Sequence, residues 1–201
     1  ESSNAILICH ALTGDSHVSG DSSASHPTKG WWDEIVGPGK VVDTEKYFVV
    51  CINVLGGCQG STGPSSLNPV SNRPYGRDFP NITIRDIVRA QAKVADYLGI
   101  ERWHAVIGGS MGGMQVLEWA AMFPDRVPRI APVATSLAAS AQQIAWSAVG
   151  RAAIALDPRW RDGNYYEADP VDGPHTGLAI ARSIAQIHYR SDESFQSRFG
   201  R

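Results

Sequence analysis

Four stretches of the chain are almost continuously apolar: AILICHA (5–11), YFVVCINV (47–54), WHAVIGG (103–109) and RIAPVAT (129–135). A strand with one wet face alternates apolar and polar positions, so unbroken runs of this length predict parallel strands covered on both faces. Between the second and third runs the period changes. In TIRDIVRAQAKVADYLGI (83–100), Ile84, Ile87, Val88, Ala92, Ala95 and Leu98 share one helical face, with Thr83 as N-cap and Gly99 as stop. MQVLEWAAMFPDR (114–126) repeats helical spacing and halts at Phe123-Pro124. Strand, helix, strand, helix, strand predicts a mostly parallel α/β sheet, and right-handed crossovers put helices on both of its faces.

Two stretches break this alternation. Residues 55–81 form a long Gly-, Pro-, Ser- and Asn-rich loop, of a length usually functional or disordered in a compact domain. After Ser136, residues 137–156 and 177–199 predict helices with broad apolar faces, joined by the polar, aromatic, turn-rich segment 157–175. The expected organisation is a core over residues 1–136 and a helical lid region over 137–201, inserted after a sheet strand. Ordinary crossover helices are the alternative. No internal repeat is visible.

A chain of 201 residues, 43% hydrophobic, is enough for one good core, and its 18 basic and 20 acidic residues, net −2, point to neither nucleic acid nor an anionic membrane. No apolar run approaches the roughly 18 residues of a membrane span, and no charged-then-apolar leader precedes the first strand. The chain starts without methionine, almost directly on a strand, and ends at SFQSRFGR without a closing element, so it reads as a piece of a longer protein. Three cysteines cannot all pair. Cys9 and Cys51 fall in strands, where a thiol serves as a small apolar side chain, and the expected compartment is a reducing cytoplasm. Cys58, in GGCQG, is more open to reaction, but no histidine neighbours it in sequence and Ser110 has the better setting for a nucleophile. The histidines and cysteines lack metal-ligand spacing, and no dinucleotide fingerprint appears, so no metal and no bound cofactor is expected.

The chemistry concentrates in VIGGSMGGMQ (106–115), a G-x-S-x-G pattern between a predicted strand and a predicted helix. On such a turn only small neighbours fit, the Ser110 hydroxyl is pushed into the open, and the helix N-terminus behind it favours a forming anion. This is the nucleophile elbow of an α/β-hydrolase fold. Attack on an acyl carbon needs donors for the oxyanion: the N–H of Met111, directly after the nucleophile, and that of Leu12 in the loop ICHALTGDSH (8–17). His10 is expected to brace that loop rather than act as a base.

CHALTGDSH, GWWDEIVGPGK, NVLGGCQGSTGPSS, RPYGRDFP, TIRDIVRAQ, GGSMGGMQVLEWA and SAQQIAW, in this order, resemble the homoserine O-acetyltransferase family across nearly the whole chain. The resemblance implies an acyl-serine route from acetyl-CoA, as cosubstrate, to the hydroxyl of L-homoserine, on the way to methionine. It also implies that Arg182 grips the amino-acid carboxylate, that Tyr189 lines the pocket, and that the lid helices make a homodimer. A guanidinium fork suits a carboxylate, and a seven-residue step keeps both residues on one helical face. The triad Asp and His of the family fall beyond this stretch. An improvised triad from His175 or His188 with Asp169 or Asp172 is not expected, and His17, His26 and His104 carry no motif signal. Without a base a serine hydroxyl is a poor nucleophile, so the 201-residue chain alone is expected to be nearly inactive. Succinyl transfer, acylation of serine or a larger alcohol, an esterase or thioesterase reaction on the same elbow, and a non-catalytic binding protein of this fold remain open.

Overall fold

The computed structural model describes residues 4–167 and 170–200. They separate into two compact units: the chain up to Gly63 with Pro80–Leu137, and Pro64–Phe79 with the chain from Ala138 onward.

The strands of the first unit are β1 (Ala5–Cys9), β2 (Val36–Gly37), β3 (Val42–Asp43), β4 (Phe48–Cys51), β5 (Ala105–Gly109) and β6 (Ile130–Val133). Four of them form a parallel sheet in the order β4-β1-β5-β6, with Ile6 paired to both Val49 and Ala105, and Val106 to Ile130. β2 and β3 make a separate parallel pair that two residues per strand leave invisible to periodicity. The sheet strands are shorter than their apolar runs. After β1, for example, the chain turns at once, with the Gly14 N–H donating to the Ala11 carbonyl at 3.0 Å.

β1 is central and buried on both faces. On one face Leu7, Cys9 and Val106 pack against Val88, Ala92 and Ala95 of α1 (Ile84–Tyr97) and Val116 and Trp119 of α2 (Met111–Met122). On the other, Ile6 and Ile8 meet Val36, Val42, Trp31 and Trp32. Within this unit the expectation of helices on both faces is therefore met on one face by α1 and α2. The segment 18–47 covers the other, and its Gly20, Pro27, Gly30, Gly37, Pro38 and Gly39 disfavour a helix there. Asp33 anchors it, bonded by Lys29 at 2.7 Å, the Gly20 N–H at 2.9 Å and the Ser19 hydroxyl at 3.0 Å.

α1 begins where its cap is. The Asp86 N–H donates to Thr83 Oγ1 at 3.2 Å and the Thr83 N–H to Asp86 Oδ2 at 3.0 Å, a reciprocal capping box. Gly99, at φ +69°, ends it, and Leu98, expected on the apolar face, is exposed as its C-cap. α2 starts three residues before its predicted first residue, Met114, at Met111 directly after Ser110, and stops at Met122; Pro124–Arg126 is a separate 3₁₀ turn.

The second unit contains α3 (Ala141–Ala155), α4 (His175–His188) and α5 (Asp192–Phe199). The single helix expected over 177–199 is two, because the Ser191 hydroxyl accepts from the Ser194 N–H at 3.2 Å and caps a new helix. α4 lies close on α3: a Cβ at Gly177 would stand 2.5 Å from the Ala153 carbonyl oxygen. Asp157 joins the end of α3 to the start of α4, accepting from the N–H groups of Gly177 and Arg159, each at 2.9 Å. Those two bonds, Gly177 first, hold its carboxyl below the ordinary value.

The long loop does not stay whole. Residues 64–79 belong with the helices, so the expected boundary at 136 omits a segment that is distant in sequence. Polar contacts set this. Asn164 Oδ1 accepts from the Arg77 N–H at 3.3 Å, Arg73 pairs with Glu167 at 3.0 Å, and the Arg77 side chain pairs with Asp162.

Candidate active site

Ser110 stands between β5 and α2 at φ 56°, ψ −120°. A residue with a side chain reaches this region only at a cost of about 1–3 kcal/mol, which the surroundings must offset. They do so on both sides. The Ser110 N–H donates to the Val133 carbonyl of β6 at 2.9 Å, while its own carbonyl accepts from Thr135 Oγ1 at 2.8 Å and the Met114 N–H at 3.2 Å. The flanking glycines are required by contact. A Cβ on Gly108 would lie 2.5 Å from the Gly112 carbonyl oxygen, and one on Gly112 would overlap the Cys9 carbonyl. β5, the start of α2 and the end of β1 thus approach more closely than any side chain allows. The hydroxyl that results is exposed and has no hydrogen-bond partner among the described residues.

The two expected oxyanion donors are Met111 and Leu12. Met111 is the first residue of α2, so its N–H has no intrahelical acceptor. Leu12 sits in the turn after β1 and is mostly exposed. Neither N–H is used in any hydrogen bond among the described residues. Both residues line one cleft of about 480 Å³, together with His10, Val54, Leu55 and Cys58.

His10 is buried, and both of its ring nitrogens are committed. Nε2 accepts from the Val54 N–H at 3.1 Å, so the proton resides on Nδ1 and is donated to the Ala11 carbonyl at 2.8 Å. It braces the Leu12 loop against the segment after β4 and has no lone pair left for a base. His104 meets the Tyr47 ring at a tilt just before β5, at the opposite end of that strand from Ser110. Five strand residues separate them, about 16 Å of rise or more. His17 and His26 stack on each other at 4.4 Å beside Asp15.

Cys9 and Cys51 are inert thiols. Burial, then the Cys51 thiol beside it, raises Cys9 far above the ordinary thiol value; burial, then the charge of Asp15, raises Cys51 to about 12. Cys58 is exposed at the rim of the cleft. Among the described residues no three His, Cys, Asp or Glu side chains gather as a metal site, and no helix is long and apolar enough to cross a membrane.

In the second unit Arg182 projects from α4, exposed, with no hydrogen bond or ion pair among the described residues. Tyr189 caps the same helix in helical conformation (φ −75°, ψ −3°), so the seven-residue step keeps the two in phase. His188 meets the Trp146 ring of α3 at a tilt, with centroids 5.5 Å apart. His175, expected in a loop, is the first residue of α4, and Asp172 is held by Arg161 at 2.5 Å and Arg159 at 3.6 Å. Asp169 lies outside the described residues.

Pattern reading missed the buried polar chain beneath the elbow: Trp119, Gln91 and Gln115, none of them more than 1% exposed. One signal was present. Gln91 falls three residues after Val88 and four after Ile87, so it interrupts the apolar face of α1 with an amide.

A family model of the alpha/beta hydrolase fold matches residues 4–199. The homoserine O-acetyltransferase of Symbiobacterium thermophilum is 57% identical over 98% of this chain and 51% of its own length. The homoserine O-succinyltransferase of Alkalilimnicola ehrlichii is 53% identical over 100% of this chain and 52% of its own. The chain thus spans about half the length of the curated relatives it matches. Among solved structures, esterase E22 aligns with a TM-score of 0.87 at 36% identity, covering 98% of this chain and 54% of that one. Homoserine O-acetyltransferase from Bacillus anthracis aligns at 0.85 and 36%, covering 97% and 53%.

Proposed function

The chain belongs to the alpha/beta hydrolase fold family, and from that premise we propose that it is the nucleophile-bearing part of an acyltransferase that moves the acetyl group of acetyl-CoA to the side-chain hydroxyl of L-homoserine, a step of methionine biosynthesis. The observation that carries this reading is the exposed, backbone-strained Ser110 at the start of α2, next in the chain to Met111, which shares a cleft with Leu12, the N–H groups of both being unclaimed among the described residues. The relatives that bear the homoserine O-acetyltransferase name support the choice of substrates.

In this mechanism Ser110 Oγ attacks the thioester carbon and gives up its proton to a base. The carbonyl oxygen becomes an oxyanion bonded by the N–H groups of Leu12 and Met111, at the positive end of α2. Collapse expels the CoA sulfur, which leaves as the thiol with that proton, and Ser110 carries the acetyl ester. The homoserine hydroxyl then attacks the ester, passes through the same oxyanion pocket and leaves as O-acetylhomoserine, restoring the serine. Arg182 is assigned the amino-acid carboxylate, which its guanidinium fork suits, and Tyr189, in phase with it on α4, is assigned to the binding of the same acceptor. His10 cannot be the base, because its ring nitrogens are spent on Val54 and Ala11.

An esterase reading uses the same elbow with water as acceptor, and the likeness to esterase E22 favours it as the second choice. The apolar side chains Ile144, Val149, Ile180 and Ile187, about half exposed on α3 and α4, support a homodimer through these helices. Three unpaired cysteines support a reducing cytoplasm. The deciding assay follows CoA thiol release by a full-length protein carrying this chain. Release that requires homoserine and is lost in Ser110→Ala supports the transferase; release at the same rate with water alone supports the esterase.

A further inference from the structure

We infer that Gln115 is a positioning residue of the oxyanion pocket, tying together the two backbone segments that carry its donors; this rests on the assignment of Leu12 and Met111 above. Gln115 is fully buried on α2, one turn after Met111. Its Nε2 donates to the carbonyl of His10, two residues before Leu12, at 3.2 Å, and to the carbonyl of Met111 at 3.4 Å. One primary amide therefore spans the β1 loop and the first turn of α2, whose N–H groups must face a single oxygen atom.

The direction of this amide is fixed by a chain with only one possible polarity. At its far end the Trp119 indole, which can only donate, gives its N–H to Gln91 Oε1 at 2.8 Å. Gln91 must then present its nitrogen to Gln115, and does so, donating to Oε1 at 2.7 Å. Gln115 is left with its NH₂ facing two carbonyls, which can only accept. A donor-only group at one end and acceptor-only groups at the other exclude a flipped amide at either glutamine.

Packing alone does not ask for this arrangement. An apolar side chain of similar volume would fill the site without burying amides, whose desolvation is repaid only when every bond is made. What the amide adds is distance control. The nitrogen sets the His10 carbonyl against the Met111 carbonyl, and the Leu12 and Met111 N–H groups follow. Because an oxyanion donor displaced from its place loses most of its value, loosening this tie acts on the transition state and leaves the walls of the cleft in place.

The test compares wild type, Gln115→Met and Gln91→Met in a full-length protein carrying this chain, measuring kcat, the KM for the acyl donor, and Tm. The expected result for Gln115→Met is a fall in kcat of about 10- to 100-fold, less than or equal to the loss of one oxyanion donor, with KM changed less than about 2-fold. Gln91→Met, which frees the far side of the amide, is expected to lower kcat by a smaller factor in the same direction. Unchanged kcat in a folded Gln115→Met overturns the inference. If that variant does not fold, unchanged kcat in Gln91→Met overturns it instead, as does a rise in KM that accounts for the whole loss. A wild type whose acyl transfer survives Ser110→Ala brings down the underlying site assignment, a failure distinct from the first because it appears before any glutamine is changed.

Discussion

Trp119 and Trp146 are both helix-borne indoles, yet Trp119 is fully enclosed while Trp146 keeps 36% of its surface. Around Trp119, the side chains of Leu7, Val88, Val106 and Val116 are equally closed off, and the indole meets Trp103 edge-on at 6.1 Å. Around Trp146, α3 has no buried residue at all, and α4 buries only Gly177. The first unit closes its own core. The helices of the second draw on local devices: the Ser140–Gln143 capping box, the Asp157 bonds, and the close approach of Gly177 to α3. The proposed nucleophile belongs to the enclosed unit and the proposed carboxylate grip, Arg182, to the open one. Strain at Ser110 can persist because the unit that holds it is over-determined; a residue recruited for substrate binding needs no such support.

This contrast can be broken most forcefully through activity. In a full-length protein carrying this chain, Ser110→Ala is expected to lower acyl transfer by about 10⁴-fold or more while leaving Tm within a few degrees, measured by CoA release and thermal melting. Arg182→Ala is expected to act mainly on the KM for homoserine, with little change in the rate of acetyl-serine formation. The two indoles come next. Trp119→Ala should destabilise by about 3–5 kcal/mol and Trp146→Ala by about 1–2 kcal/mol in a monomeric sample, read from urea titrations. Equal losses would contradict the division drawn here.

Glycines sharpen the same comparison at smaller scale. Gly112→Ala forces a methyl into the Cys9 carbonyl and should cost about 1–3 kcal/mol. Gly150→Ala, inside α3, meets only the Ala181 Cβ at 3.7 Å and should be neutral or stabilise by up to about 1 kcal/mol. Acid gives the smallest effect. Lys29, the Gly20 N–H and the Ser19 hydroxyl hold Asp33 well below the carboxylate value of 3.8 that it has when unfolded. Such a group contributes its full stabilisation above pH ~4 and loses it as pH falls through the lower folded value. The slope of Tm against pH below ~4 should therefore flatten in Asp33→Asn, and an unchanged slope would remove Asp33 as the anchor of the segment 18–47.

How much of this was readable before the fold depended on the length of the signal. The four sheet strands announced themselves through apolar runs, and α1 through its helical period, its N-cap Thr83 and its stop Gly99. Ser110 was legible because steric demand on a tight turn leaves a local mark, glycine on both sides. β2 and β3 were not, because two residues carry no period. The attachment of residues 64–79 to the helices was also hidden, since it depends on single polar contacts from Arg73 and Arg77 to partners 94 and 87 residues away. The Trp119–Gln91–Gln115 chain left only one trace, a glutamine on an apolar face, and its second half, the reach to His10 across 105 residues, has no sequence signature.

The central claim is that Ser110 carries the acyl group in transit to an alcohol. An intact-mass spectrum of a full-length protein carrying this chain, taken after brief exposure to acetyl-CoA with and without homoserine, tests it most directly. The account predicts one acetyl adduct, absent in Ser110→Ala and discharged faster by homoserine than by water. An adduct that persists in Ser110→Ala, or one that water removes as fast as homoserine does, would contradict it.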